Sequence, residues 1–299
     1  MRRAYLNKFH MPSVDTEHNV LSHVKMTCFN NFYPFDTLPE NFRNLEFSPL
    51  TILYGGNGCG KTTILNLIAE KFGIKRGTKI NKSSFMENYL QLCRCDISEE
   101  PTVMKIITSD DVFSNIFLTR EKNEIIDRNR EDAFELSSKC NTPGVYIRDI
   151  MHEMVGDGNW IDNIDTLSKI TSARGKSKSQ FARENVRKNI IGKSNGETAL
   201  EYFYNNIQEP GLYLLDEPEN SLSAVYQKEL AQYLSDSVRF FDAQLIIATH
   251  SPFMLSIPGA TIYNLDSEEF CVTEDWTSLD NMREYYTLFS EYADRFGDK

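Results

Sequence analysis

Three clusters of side chains in this chain are suited to holding and cleaving a polyphosphate. The first is Gly55-Gly56-Asn57-Gly58-Cys59-Gly60-Lys61-Thr62, which fits the pattern G-x-x-x-x-G-K-[ST]. Glycines at that spacing let successive backbone N–H groups turn inward around phosphate oxygens, and a helix starting there adds its partial positive charge. Lys61 is expected to reach the β- and γ-phosphates, and the Thr62 hydroxyl to ligate Mg²⁺. The second cluster is Asp216-Glu217, at the end of the apolar run Leu212-Tyr213-Leu214-Leu215. Asp216 is expected to hold Mg²⁺ through water, and Glu217 to polarise the attacking water. The third is His250, which follows Gln244-Leu245-Ile246-Ile247-Ala248-Thr249 and is expected to contact the γ-phosphate.

These groups need rigid elements to aim them. Pro49 to Tyr54 reads as a buried strand and Thr63 to Ala69 as a helix with an apolar stripe, so the glycine loop has the strand–loop–helix context it requires. Ser194-Asn195-Gly196-Glu197 opens an amphipathic helix over Thr198 to Ile207, which ends before Pro210-Gly211. Leu212 to Glu217 and Gln244 to Thr249 read as strands, with a helix over Ala224 to Leu234 between them. Near-continuous apolar strands alternating with helices imply a mainly parallel sheet covered on both faces. Ligands bind beyond the strand carboxyl ends of such sheets, where the loop, the carboxylates and the histidine all fall.

The flanks are less regular. The stretch before Pro49 reads as strand-rich, with candidate strands at Val24 to Phe29 and Asn44 to Phe47 and turns at Pro34, Pro39 and Asn41. Asn30, Asn31, Phe32 and Tyr33 lie upstream of the loop, where an aromatic could stack on a base or join a core cluster. Lys75 to Lys193 is polar, with short apolar runs such as Val103 to Ile107, and Glu121 to Lys139 reads as a solvated mixed-charge helix. Arg174 to Lys193 is basic, suited to phosphates, to an acidic partner, or to a mobile solvated arm. Thr261 to Leu265 and Phe270 to Thr273 read as short strands, and Leu279 to Phe296 as an amphipathic closing helix.

The composition is that of an ordinary soluble protein: 299 residues, 40% apolar and 25% charged. A net charge of −11 argues against a globally basic nucleic-acid binder. No apolar run approaches the length of a membrane span, and the start has no signal-like apolar stretch. Six scattered cysteines fit a reduced, cytoplasmic setting. Cys93-Arg94-Cys95 lacks the second pair a structural zinc site needs and reads as packed or surface thiols. His152-Glu153 opens like H-E-x-x-H, but Gly156 stands where the second ligand belongs.

In this order the motifs resemble those of the ATP-binding-cassette (ABC) ATPases: Gly55 to Thr62 as Walker A, Ser194-Asn195-Gly196-Glu197 as signature, Leu212 to Glu217 as Walker B, Ser221-Leu222-Ser223-Ala224 as D-loop and His250 as switch histidine. Transporter members usually carry L-S-G-G-Q; the Ser-x-Gly-Glu form here is similar to SMC-like and break-repair ATPases. Asp216-Glu217-Pro218-Glu219-Asn220-Ser221-Leu222 and Ala248-Thr249-His250-Ser251-Pro252 resemble the soluble AAA_21/OLD-type ATPases, some of which serve antiphage defence. The family's Q-loop has two candidates, Gln91 and the Thr108-Ser109-Asp110-Asp111 turn.

The resemblance implies a P-loop NTPase with an ABC-type core, a mainly parallel sheet plus N-terminal antiparallel strands, over residues 1–74 and 194–299. Residues 75–193 would be an inserted helical lobe, too short for a coiled-coil arm. It implies ATP and Mg²⁺ as cofactors. ATP would be held by Gly55, Asn57, Gly58, Cys59, Gly60, Lys61, Thr62 and Thr63 of one copy and by Ser194, Gly196 and Glu197 of a second, in a head-to-tail homodimer. Ser194 is expected to lie on the other lobe from its own loop, which makes the site depend on the second copy. The implied function is an ATP-hydrolysing switch controlling a partner effector such as a nuclease or toxin in antiphage defence. The alternatives are the ATPase subunit of a membrane transporter and a nucleic-acid-sensing repair ATPase using Arg174 to Lys193.

Overall fold

The computed structural model describes residues 4–24, 31–38, 40–80, 82–156, 163–189, 194–267, 269, 272–273 and 275–296. The chain divides into a core unit, Met1–Ser114 with Ser194–Lys299, and a second unit, Asn115–Lys193.

The core begins with β1 (Leu6–His10), then α1 (Val14–Ser22), β2 (Asn44–Glu46), β3 (Leu50–Tyr54) and α2 (Lys61–Lys71). α3 (Met86–Leu92), β4 (Arg94–Ile97) and β5 (Val103–Thr108) precede the long helix α4 (Ser109–Cys140). α5 (Ile147–Val155), α6 (Ile164–Ala173) and α7 (Lys178–Asn185) belong to the second unit. The core resumes with α8 (Asn195–Asn206), β6 (Gly211–Asp216), α9 (Ala224–Phe240), β7 (Ala243–Thr249), α10 (Pro252–Leu255), β8 (Thr261–Asn264), β9 (Val272–Thr273) and α11 (Asp280–Glu291).

Two sheets carry the core. A six-stranded sheet of order β5-β6-β7-β3-β8-β9 is parallel except for β9, and a three-stranded antiparallel sheet has the order β2-β1-β4. All five residues of β3 and all seven of β7 are buried, which is why neither shows a polar/apolar alternation in sequence. Alternate side chains of these strands serve opposite layers. Leu212, Leu214, Ile246 and Ala248 join Ile64, Leu65, Leu67 and Ile68 of α2 in one cluster. The intervening residues face the other layer, and α9, the right-handed crossover from β6 to β7, packs on that side.

Three expectations change. The stretch before Pro49 is not all strand: Ser13 caps α1 by accepting from the Thr16 N–H, and Glu17 of that helix is buried against Arg43. Most of the expected strand Val24 to Phe29 lies outside the described residues, as do Asn30, Pro39, Lys193, Phe270 and Cys271. The inserted unit starts at Asn115 rather than at residue 75, because β4 pairs with β1 and β5 with β6. β5 is the apolar run Val103 to Ile107 noted in the sequence, whereas β4, Arg-Cys-Asp-Ile and mostly exposed, has no apolar pattern to mark it as a strand of the core unit. The tail helix is α11 followed by a 3₁₀ turn at Ala293–Arg295, but it does not close onto the core: beyond Met282 its residues are exposed.

Within the second unit, α4 is helical through the mixed-charge run, as its composition predicts. Ala133 and Cys140 of α4 pack with Ile150 and Met151 of α5, Ile170 and Ala173 of α6, and Phe181 and Ala182 of α7. Of the basic segment, Lys176 pairs with Glu184 at 2.5 Å and Arg174 donates to the Val145 carbonyl. No helix among the described residues is long and apolar enough to cross a membrane.

Candidate nucleotide site

Parallel register brings the strand ends level. Tyr54 is opposite Thr249 and Asn264, and Asp216 is opposite Ala248 and Thr108. The glycine loop leaves β3 and runs into α2, with Gly60 as its N-cap at φ +100°. That left-handed conformation favours glycine, and a Cβ there would lie 2.3 Å from Leu38 Cδ2. Leu38 is therefore packed against the loop, held through its carbonyl, which accepts from the buried Arg43 guanidinium.

Lys61 is 4% exposed and donates through Nζ to the carbonyls of Gly55 (2.6 Å) and Gly56 (2.8 Å). Cys59 lies 3.8 Å from the same amine, and burial pushes its thiol pKa up. Gly56 N–H donates to both carboxylate oxygens of Asp266, at 2.9 and 2.8 Å. Tyr33 Oη stands 3.5 Å from Thr63 Oγ1, so the upstream aromatic segment does reach the loop's helix. Phe32 packs on Phe85 instead, with centroids 5.1 Å apart.

Thr62 Oγ1 donates to Asp216 Oδ1 at 3.0 Å, joining the first and second clusters across 154 residues. Burial lifts the Asp216 carboxyl to about 6, against the hydrogen bond from Thr62. A buried carboxylate beside a hydroxyl is a hard-oxygen pair fitting Mg²⁺, which would relieve the cost of the buried charge. Arg76, whose pKa burial lowers, approaches the same group and donates to Asn66 Oδ1 at 2.5 Å.

Glu217 follows at φ +47° and Ser221 at φ +73°, both left-handed conformations that cost a non-glycine residue about 1 kcal/mol or more. The Glu217 carboxylate accepts from Asn220 Nδ2 at 2.8 Å. His250 Nδ1 stands 3.9 Å from Glu217 Oε1 and 3.8 Å from Glu219 Oε1. Glu219 is buried, accepts from Thr249 Oγ1 (2.5 Å) and the His250 N–H (3.2 Å), and has its pKa raised by that burial. Its Oε2 and the Ser221 hydroxyl are buried without a partner.

The sequence reading gave no site role to Asp266, Arg76, Glu219 or Asn220, the last two entering only as part of the stretch Asp216 to Leu222 that carries the resemblance. Each is an ordinary polar residue beside or far from a motif, and only its packing gives it a place. Of the two Q-loop candidates, the Thr108 turn adjoins Asp216 in register, whereas Gln91 is in α3, at the edge carrying β4.

Ser194-Asn195-Gly196-Glu197 forms a reciprocal cap on α8: Glu197 N–H donates to Ser194 Oγ and Ser194 N–H to Glu197 Oε2. A Cβ on Gly196 would meet the Tyr226 ring at 2.6 Å. Farther along, Tyr204 Oη donates to Glu229 Oε1. α8 and α9 thus run side by side in the same direction, with both N-termini at the carboxyl edge of the sheet. Ser194 is exposed there. It belongs to the core unit with the loop, not to the other unit as expected; it begins the layer that contains α9, on the sheet face away from α2.

The ABC transporter family model matches residues 44–220, from β2 through the strained turn after β6. The chain belongs to the ABC ATPase family. A second model, described as "AAA domain, putative AbiEii toxin, Type IV TA system", matches residues 202–256. No curated protein matches the chain. Solved structures with similarity include the Smc head domain with an extended coiled coil bound to the C-terminal domain of ScpA from Pyrococcus furiosus. That match has 13% identity and TM-score 0.40, covering 96% of this chain and 99% of the other. Stu0660 of Streptococcus thermophilus gives 15% identity and TM-score 0.38, covering 77% and 73%. A nucleotide-free ATP-binding cassette from an ABC transporter gives 11% and 0.36, covering 87% of each chain. Values this low leave the family assignment to the sequence models.

Proposed function

We propose that this ABC ATPase is a switch in which two copies close head-to-tail on two ATP molecules and reopen on hydrolysis, controlling a partner effector, in the setting of antiphage defence. Gly55 to Thr63 of one copy cradle the phosphates, with Lys61 releasing the two loop carbonyls to neutralise the γ-phosphate. Ser194, Gly196 and Glu197 of the other copy present the α8 N-terminus to the same phosphate. Glu217 accepts a proton from the water that attacks the γ-phosphorus, while the β–γ bridging oxygen leaves with ADP. His250 holds that water and the γ-phosphate, and Glu219 orients His250 through its backbone N–H. Thr62 and Asp216 would hold Mg²⁺, which supplies charge neutralisation on the phosphates.

The observation that carries this reading is the exposed α8 N-terminus, which stands at the carboxyl edge but in the opposite layer from α2. There its dipole end, capped within the chain by Ser194 and Glu197, faces outward, where a phosphate brought by another copy could exchange with that cap. The buried, unpartnered Ser221 hydroxyl in the D-loop lies on the same edge.

The test is the Glu217→Gln variant with ATP and Mg²⁺. Turnover is expected to fall by about 10²–10⁴-fold and the molecular mass to double in an ATP-dependent way. Ser194→Arg in the same background should abolish the doubling while ATP still binds. A mass indifferent to ATP in the Glu217→Gln form would overturn the proposal, and proteins co-purifying with the closed form would identify the effector.

A second reading, a nucleic-acid-stimulated ATPase, draws support from Lys122, Lys169, Arg187 and Lys188, which line, together with Asp132 and mostly apolar side chains, a cavity of ≈ 800 Å³ in the second unit. It requires stimulation by nucleic acid that weakens steeply with salt. Transporter association is tested by co-purification with an integral membrane protein.

A further inference from the structure

One peptide unit of the glycine loop is held at both ends by a charged side chain. It joins the Gly55 carbonyl to the Gly56 N–H. The carbonyl accepts from the Lys61 ammonium at 2.6 Å, and the N–H donates to the two carboxylate oxygens of Asp266, at 2.9 and 2.8 Å. A trans peptide points its carbonyl and its N–H in opposite directions, so the two side chains together fix which way this one faces. Lys61 also donates to the Gly56 carbonyl at 2.8 Å, which ties the next peptide to the same amine.

Asp266 reaches the loop because β8 runs beside β3. Tyr54 is in register with Asn264, and the Leu265 N–H extends the ladder to the Tyr54 carbonyl at 2.9 Å. The Asp266 N–H then donates to Asn264 Oδ1 at 3.2 Å, a local turn that sets where the carboxylate lies. The approach leaves no room for a side chain at Gly55, where a Cβ would lie 3.1 Å from Asp266 Oδ1 and 2.5 Å from Cys59 Sγ.

We infer that Asp266 is a positioning residue for Lys61, and that through the Gly55–Gly56 peptide it acts as a brake on nucleotide binding. Hydrogen bonds to charged groups are about twice as strong as neutral ones, and bonds in series polarise one another. The carboxylate draws on the N–H, makes the carbonyl at the other end a better acceptor, and so tightens its hold on the ammonium. It also keeps the peptide from turning over, because the reverse orientation sets the carbonyl oxygen against the carboxylate. A bound phosphate has to draw Lys61 off these carbonyls, so a stronger resting contact means weaker nucleotide binding. The brake rests on Gly55 to Thr63 cradling phosphates, as proposed above, and needs no second copy.

The experiment is ADP binding by the full chain with Mg²⁺ present, followed by calorimetric titration. ADP is the probe because it does not turn over and has no γ-phosphate for a second copy to grip. Asp266→Ala should tighten ADP about fivefold, roughly the net worth of one hydrogen bond. Asp266→Asn keeps an acceptor without the charge and should tighten it about twofold. In a Lys61→Ala chain there is no amine to hold, so adding Asp266→Ala should shift the affinity by less than about twofold. Asp266 is exposed and Asp266→Asn preserves its shape, so the series stays decisive if the Ala variant misfolds. Weaker or unchanged ADP binding by the Asp266 variants would overturn the inference. So would tightening that survives Lys61→Ala and shrinks at high salt, the behaviour of plain repulsion between a carboxylate and a phosphate. No ADP binding by the wild-type chain would remove the phosphate cradle itself and the brake with it, so the two failures read differently.

Discussion

At the residue scale the site pays for chemistry with buried charge and a strained backbone. Asp216 shows the cost most clearly. Its carboxyl rises from the ordinary 3.8 to about 6 through burial, so the folded chain binds a proton more tightly than the unfolded one between those values. Stability must therefore fall as pH rises through that window, and the deficit persists above it. Asp216→Asn keeps an acceptor for Thr62 and removes the charge. It is expected to stabilise the nucleotide-free protein by roughly 1–3 kcal/mol at pH 8 and to give no gain at pH 4. Thermal melts of both forms across pH check the sign. The buried Arg43–Glu17 pair makes the opposite prediction. Glu17→Gln leaves Arg43 buried without its counter-charge, and a loss of about 3–5 kcal/mol is expected in denaturant titration. Because Arg43 also holds Leu38 against Gly60, nucleotide affinity should fall with it.

At the element scale the contact between α8 and α9 decides where the Ser194 cap points. Gly196 has no room for a side chain against Tyr226, so Gly196→Val should push the α8 N-terminus outward. The expected variant is folded, binds ATP in an equilibrium assay, and loses the ATP-dependent mass change. Adding Tyr226→Ala should restore part of it. Strand and helix positions were largely legible, because β3, β6 and β7 are buried on both faces and read as unbroken apolar runs. β1, β4 and α1 were not. The two strands belong with β2 to the three-stranded antiparallel sheet and have exposed and half-exposed positions, and α1 buries a glutamate rather than an apolar stripe.

At the scale of the whole molecule, the proposed sites are shared between copies, which makes complementation the direct test. A Lys61→Ala chain and a Ser194→Arg chain are each expected to be inactive. Mixed, they form pairs with one intact composite site, and about a quarter of the wild-type rate should return on random pairing. No recovery would mean that each chain completes its own site.

The sequence by itself picked out the candidate phosphate-handling groups, since the loop, the carboxylate pair and the histidine each sit in a short contiguous motif at the end of an apolar run. It also determined the parallel sheet that aims them. Only the tertiary structure decided what faces those groups: Asp266 on Gly56, Asp216 on Thr62, Glu219 behind His250, and Tyr226 under Gly196. It likewise decided that the α11 stripe looks outward. Periodicity records that a helix has an apolar side, but which surface covers that side depends on contacts between segments far apart in the chain, and these leave no local pattern.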